Sequence, residues 1–121
     1  MPLIEIEVVG NGDPLDPGLP SRLADAVGDV LGARPGTTWV RLHQLERSNY
    51  GESGGPVPED LRPVFVHLLL ARQHEAGEVG PMLQRVTQAV AESLHTPTDN
   101  VHVVLSPDGA GRVTFGGRLV Q

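Results

Sequence analysis

The chain is written twice, and that repetition restricts the folds open to it. Leu23, Val27 and Leu31 match Val86, Val90 and Leu94, each pair 63 positions apart, and Pro35 matches Pro97 at a spacing of 62. In the first half, a strand over Pro2–Val9 leads into a Gly/Asp/Pro-rich loop from Gly10 to Gly18. Leu19-Pro20-Ser21 then opens a helix, with proline in the first turn, where its missing N–H costs nothing. Leu23, Val27, Val30 and Leu31 fall on one helical face, and Gly32 and Pro35 end the helix. A second strand covers Thr38–Leu45, and a glycine-rich tail containing Tyr50 follows. The second half repeats this order. A strand over Val64–Leu70 gives way to Ala71-Arg72-Gln73-His74, and a helix carries Val79, Leu83, Val86, Val90 and Leu94 on one face. A strand over Val101–Leu105 and a tail containing Phe115-Gly116-Gly117 complete it. Two copies of so long a period are a duplicated β-α-β unit, not a solenoid.

Each unit should make a right-handed crossover between two parallel strands. Side by side, the units give an α+β fold: a four-stranded mixed sheet with two helices on one face. The 121 residues form one domain, with repeat units over about 2–55 and 63–121. The opposite sheet face is expected to carry Ile4, Ile6 and other apolar side chains with nothing in the chain to cover them. An open apolar face of that size predicts assembly into a closed ring.

Composition excludes several classes of function. The net charge is −6, without a Lys/Arg cluster, and there are four aromatic residues, so a nucleic-acid platform is not expected. No apolar run is long enough to span a membrane and no signal-peptide pattern opens the chain, so a cytoplasmic protein without membrane contact is expected. The absence of cysteine excludes disulfides and thiolate chemistry. His43, His67, His74, His95 and His102 show no metal-ligand spacing, so no metal is expected. The glycine-rich tails lack the strand–GxGxxG–helix setting of a dinucleotide site and read as turns and hairpins.

The residue with evident chemical potential is Pro2. If Met1 is removed, Pro2 carries a free secondary amine at the start of a strand, a position that tolerates proline. An α-amino group titrates near 7.7–8.0, far below lysine, so it can take a proton at neutral pH.

The start Met1-Pro2-Leu3-Ile4, the two β-α-β units and the tails with an aromatic and paired glycines together resemble the tautomerase superfamily, whose fold is also called MIF-like. Ser93-Leu94-His95-Thr96-Pro97, Val101-His102-Val103-Val104 and Phe115-Gly116-Gly117 are similar to a 4-oxalocrotonate tautomerase unit. The two-unit layout and the ending from Ser106-Pro107-Asp108-Gly109 to Arg118 look more like malonate semialdehyde decarboxylase. The resemblance implies that Pro2 is the catalytic amine and that Arg72 binds the substrate carboxylate, because the first unit has no arginine after its strand. Where the two-unit enzymes place a second arginine, this chain has His74. The family arginine of the later strand has Arg41 as its nearest counterpart, offset by one residue; the second unit has His102 there. Phe115 matches the aromatic that lines the pocket, with Tyr50 as its repeat mate. The decarboxylase acid has no match, since Thr37 and Thr38 occupy that region. The activity implied is a cofactor-free tautomerase acting on small enol or 2-hydroxydienoate carboxylates in a homotrimer. The alternatives are a dehalogenase, hydratase or decarboxylase using protonated Pro2 as an acid, and a non-enzymatic trimeric binding module.

Overall fold

The computed structural model describes residues 1–10, 12–72 and 74–121; Asn11 and Gln73 lie outside the described residues. Strand β1 (Leu3–Gly10) is followed by helix α1 (Leu19–Leu31) and strand β2 (Trp39–Glu46). Strand β3 (Val64–Leu69), helix α2 (Ala76–Leu94) and strand β4 (Val101–Leu105) repeat the pattern. The tail of the second unit adds a short hairpin, β5 (Thr114–Phe115) with β6 (Arg118–Leu119).

The sheet order is β2-β1-β3-β4. Within each unit the strands pair in parallel, β1 with β2 and β3 with β4, as a crossover through one helix requires. The units join antiparallel through β1 and β3, with Leu3 opposite Leu69 and Val8 opposite Val64. This is the α+β fold expected from the duplication.

Strand β1 reads Leu-Ile-Glu-Ile-Glu-Val, alternating with period two, so one face is apolar and the other acidic. Ile4, Ile6 and Val8 turn toward the helices and meet Val64, Val66 and Leu68 of β3. Leu23 and Val27 of α1 and Met82, Val86 and Val90 of α2 close over them, and all five are fully buried. Each such side chain contributes about 1.5–3 kcal/mol through removal from water. The expectation that Ile4 and Ile6 lie on the uncovered face is therefore corrected: both are completely buried beneath the helices. The uncovered face carries their neighbours, Glu5 and Glu7, flanked by Arg41 and His43 on β2 and by Phe65 and His67 on β3. It is a mixed face of polar and apolar residues, with Trp39 and Val104 as its exposed large hydrophobic residues.

The repeat extends to the ends of the elements. Gly32 caps α1 in the left-handed conformation, at φ 68°, and its N–H reaches the carbonyls of α1's last turn. His95 caps α2 in the same conformation, at φ 54°, 63 positions later. Left-handed backbone suits glycine, whereas a side chain there meets the following carbonyl. A proline precedes the first strand of each unit, and both Pro2 and Pro63 are buried. The Pro2 carbonyl accepts from Trp39 N–H at 3.1 Å and the Pro63 carbonyl from Val9 N–H at 3.0 Å. Between the units, Arg47 fastens the connector, its guanidinium donating to the carbonyls of Leu61 (2.9 Å) and Pro58. No helix among the described residues is long and apolar enough to cross a membrane.

Two measurements check this packing. Ile6→Ala should lower the free energy of unfolding by about 2–5 kcal/mol, read as an earlier urea midpoint with an unchanged slope. His95→Gly should instead stabilise the chain, by about 1 kcal/mol, because it relieves the left-handed penalty. A lower melting temperature for His95→Gly would mean that its side chain contributes more than its backbone strain costs.

Candidate functional site

Pro2 stands at the end of the sheet where β1 and β2 begin and β3 finishes. Its carbonyl is tied to Trp39 N–H, and the next residue, Leu3, is flanked by Trp39 and Leu69. The segment after β4 returns to this end. Ser106 N–H donates to Leu68 O at 2.9 Å, Gly109 N–H to Leu70 O at 2.8 Å and Ala110 N–H to Ala71 O at 3.0 Å. A side chain at 109 would begin 2.8 Å from the Met1 methyl carbon and 3.3 Å from the Leu70 carbonyl. The close backbone approach favours glycine there, and the Met1 side chain fills the space over it.

Register places the predicted site residues on this frame. Leu69 is opposite Leu3, so Arg72 lies three residues further on, at the Pro2 end of the sheet, and its side chain is exposed. His74 follows on the same stretch, half-buried, just before α2. Phe115 reaches the same end from the β5–β6 hairpin, meeting the Trp39 ring edge-to-face with centroids 5.0 Å apart and planes 77° apart. Arg72, His74 and Phe115 thus share one end of the sheet with Pro2.

Arg41 and Tyr50 are placed elsewhere. Arg41 sits opposite Glu5 on the open face, donating to its Oε1 at 2.6 Å. Both side chains are about half exposed, so the pair adds at most about 1 kcal/mol. Tyr50 packs its ring 6.0 Å from Phe65, which in turn lies 5.4 Å from His102. Phe65 is opposite Glu7, four residues along β1 from Leu3, or ~13 Å at the usual strand rise. Within one chain, Tyr50 and His102 belong to the other end of the sheet. Among the described residues, no group of three or more His, Asp or Glu side chains is arranged to hold a metal ion.

Trp39 is the residue at the Pro2 end that the sequence did not mark. Its position at the start of an ordinary strand gives no chemical signal, and its partner Phe115 is distant in the chain. A cavity of about 790 Å³ also opens in the fold, but at the far end, lined by Val8, Leu19, Arg22, Leu61, Val64 and Leu94. Arg22 there is engaged by Asp16 at 2.7 Å. The Asp16 carboxyl is held below its ordinary pKa, first by Gly18 N–H and then by Arg22. That cavity is separate from Pro2, so it is not the site of amine chemistry.

No family model matches the sequence, and no curated relative matches it. Solved structures do. The chain is similar to the fused 4-OT Q0, a symmetric trimer, with 19% identity and a TM-score of 0.76 over 98% of this chain and 94% of that one. It is similar to Pt0534, solved after inactivation by 2-oxo-3-pentynoate, with 19% identity and a TM-score of 0.73 over 97% and 95% of the two chains. It is also similar to macrophage migration inhibitory factor from Oncomelania hupensis, with 16% identity and a TM-score of 0.72 over 99% and 82%. At these identities the likeness establishes the fold: the two-unit tautomerase or MIF-like architecture that the motifs resembled.

Tyr50 offers a direct check on the tail of the first unit. Its hydroxyl donates to Glu52 Oε2 at 2.5 Å, and this hydrogen bond, followed by desolvation, raises its pKa above the ordinary value. The chain has one tyrosine, so tyrosinate absorbance reads it alone. Glu52→Gln should lower the midpoint, because the neutral phenol then loses a charged acceptor; an unchanged midpoint would show that the contact is absent in solution.

Proposed function

We propose that this protein is a cofactor-free tautomerase of small enol or 2-hydroxydienoate carboxylates, with Pro2 as the general base and Arg72 as the carboxylate ligand. The observation that carries the reading is topological. The strand that starts with Pro2 lies antiparallel to the one that ends toward Arg72, so amine and guanidinium belong to one end of the sheet. The similarity to the fused 4-OT structures supports it.

The chemistry asks little else. Ketonisation moves one proton from oxygen or carbon to another carbon, and a base of near-neutral pKa can take and return it. The amine of Pro2 begins near that value once Met1 is removed. Arg72 would grip the carboxylate with two parallel N–H donors and draw electron density toward that end. Phe115 would supply an apolar wall, and His74 a second polar contact. Tyr50, at the other end of the sheet, would meet Pro2 only across a subunit boundary, whereas Arg41 is engaged by Glu5, three residues along β1 from Pro2. We infer a homotrimer on the same footing as the fused 4-OT Q0, which is a symmetric trimer. Light scattering should then give three times the 12.9 kDa chain mass.

The decisive test is ketonisation of enol-phenylpyruvate by protein whose intact mass shows that Met1 is gone. Pro2→Ala should lower kcat/KM by about 10²–10⁴-fold, the usual contribution of a positioned base. Arg72→Ala should raise KM more than it lowers kcat. Equal rates for wild type and Pro2→Ala would refute the assignment. Incubation with 2-oxo-3-pentynoate, the compound that inactivates Pt0534, should add its mass to the N-terminal peptide and to no other.

A further inference from the structure

The largest side chain at the Pro2 end belongs to neither the core nor the residues assigned above. Trp39 starts β2, an edge strand, and is 53% exposed. Its backbone N–H holds the Pro2 carbonyl at 3.1 Å, so its Cα stands one strand spacing, about 4.8 Å, from the β1 backbone. Leu3 lies beside it in register on the same open face, and Leu69 lies beyond Leu3. The indole is not loose: Phe115 meets it edge-to-face at 5.0 Å. In such a pair one edge covers one face, so three of the four π faces stay uncovered by the partner. A half-exposed indole held in place by a second aromatic, one strand from the reacting end, forms a flat apolar wall. Planar apolar groups stack well on such walls.

We propose that Trp39 determines the substrate specificity of the Pro2 site by stacking the planar apolar end of the substrate. This rests on the reading of Pro2 and Arg72 given above, and it adds a division of labour. Arg72 holds the carboxylate, Pro2 moves the proton, and the indole selects what is attached to the reacting carbons. Substrates with an aryl or extended conjugated end gain this contact; those with a short aliphatic end do not. The hairpin β5–β6 positions the indole through Phe115, so it acts on specificity without touching the amine.

The chain has a single tryptophan, so its fluorescence reports this position alone. Phenylpyruvate should quench it saturably and pyruvate should not, in wild type and equally in Pro2→Ala, since stacking does not require the base. Trp39→Ala should raise KM for enol-phenylpyruvate about tenfold or more, with kcat within about threefold and KM for enol-oxaloacetate unchanged. Trp39→Phe should restore most of the loss. If Pro2→Ala keeps full activity but phenylpyruvate still quenches, the base assignment fails and the indole wall stands. The proposal is overturned if phenylpyruvate and pyruvate quench alike, or if Trp39→Ala weakens both substrates equally. It is also overturned if Trp39→Ala changes the oligomeric mass, since the indole would then be an assembly contact.

Discussion

The antiparallel pairing of β1 with β3 is the contact on which the rest of the structure depends. It is where two copies of one β-α-β unit become a single sheet, and it sets Ile4, Ile6 and Val8 against Leu68, Val66 and Val64. Because each unit crosses over on the same side, both helices arrive over this seam and seal it. The same pairing fixes the ends. Running in opposite directions, β1 begins where β3 finishes, and that brings the segment after Leu69 beside Pro2. A slip of one residue would turn the isoleucines outward and the glutamates in, which a dry interior without partners for carboxylates cannot accept.

Much of this was legible in the sequence. The 63-residue period predicted the element order, and the helix faces followed from spacing, since Leu23, Val27, Val86 and Val90 are all core. Strands agreed with expectation to within a residue at each end. The misreading of β1 has a simple cause. Glu5 and Glu7 alternate with Ile4 and Ile6, so the strand has one apolar face, and two covering helices had first claim on it. Counting apolar residues without that alternation put them on the wrong side. Pro81 lies inside α2, where proline cannot donate to the preceding turn.

The site was less legible because its geometry is nonlocal. Pro2 could be named by its chemistry and Arg72 by the resemblance, and register puts both at one end of the sheet. The Trp39–Phe115 pair has no periodic signature, joining the edge of one unit to the tail of the other. The Arg41–Glu5 pair depends on β1–β2 register, which periodicity does not reveal. Tyr50 and Phe115 look equivalent in the repeat, yet one tail packs on Phe65 and the other on Trp39, at different ends of the sheet. The antiparallel join sends equivalent tails to opposite ends, each against the paired strand starts of the other unit, Leu3–Trp39 or Phe65–His102.

The paired prolines carry a consequence for stoichiometry. Pro2 and Pro63 each introduce the first strand of a unit, and each is buried with its carbonyl in a hydrogen bond. As backbone positions they are near twins. As chemical groups they differ once Met1 is removed, because the nitrogen of Pro63 stays bonded to the acyl carbon of Arg62 and has no basic lone pair. Fusing two units in one chain therefore leaves only the Pro2 end able to present a free amine, and then only after Met1 is removed. Any ring of such chains would then present at most as many amines as chains, half the number of its folded units.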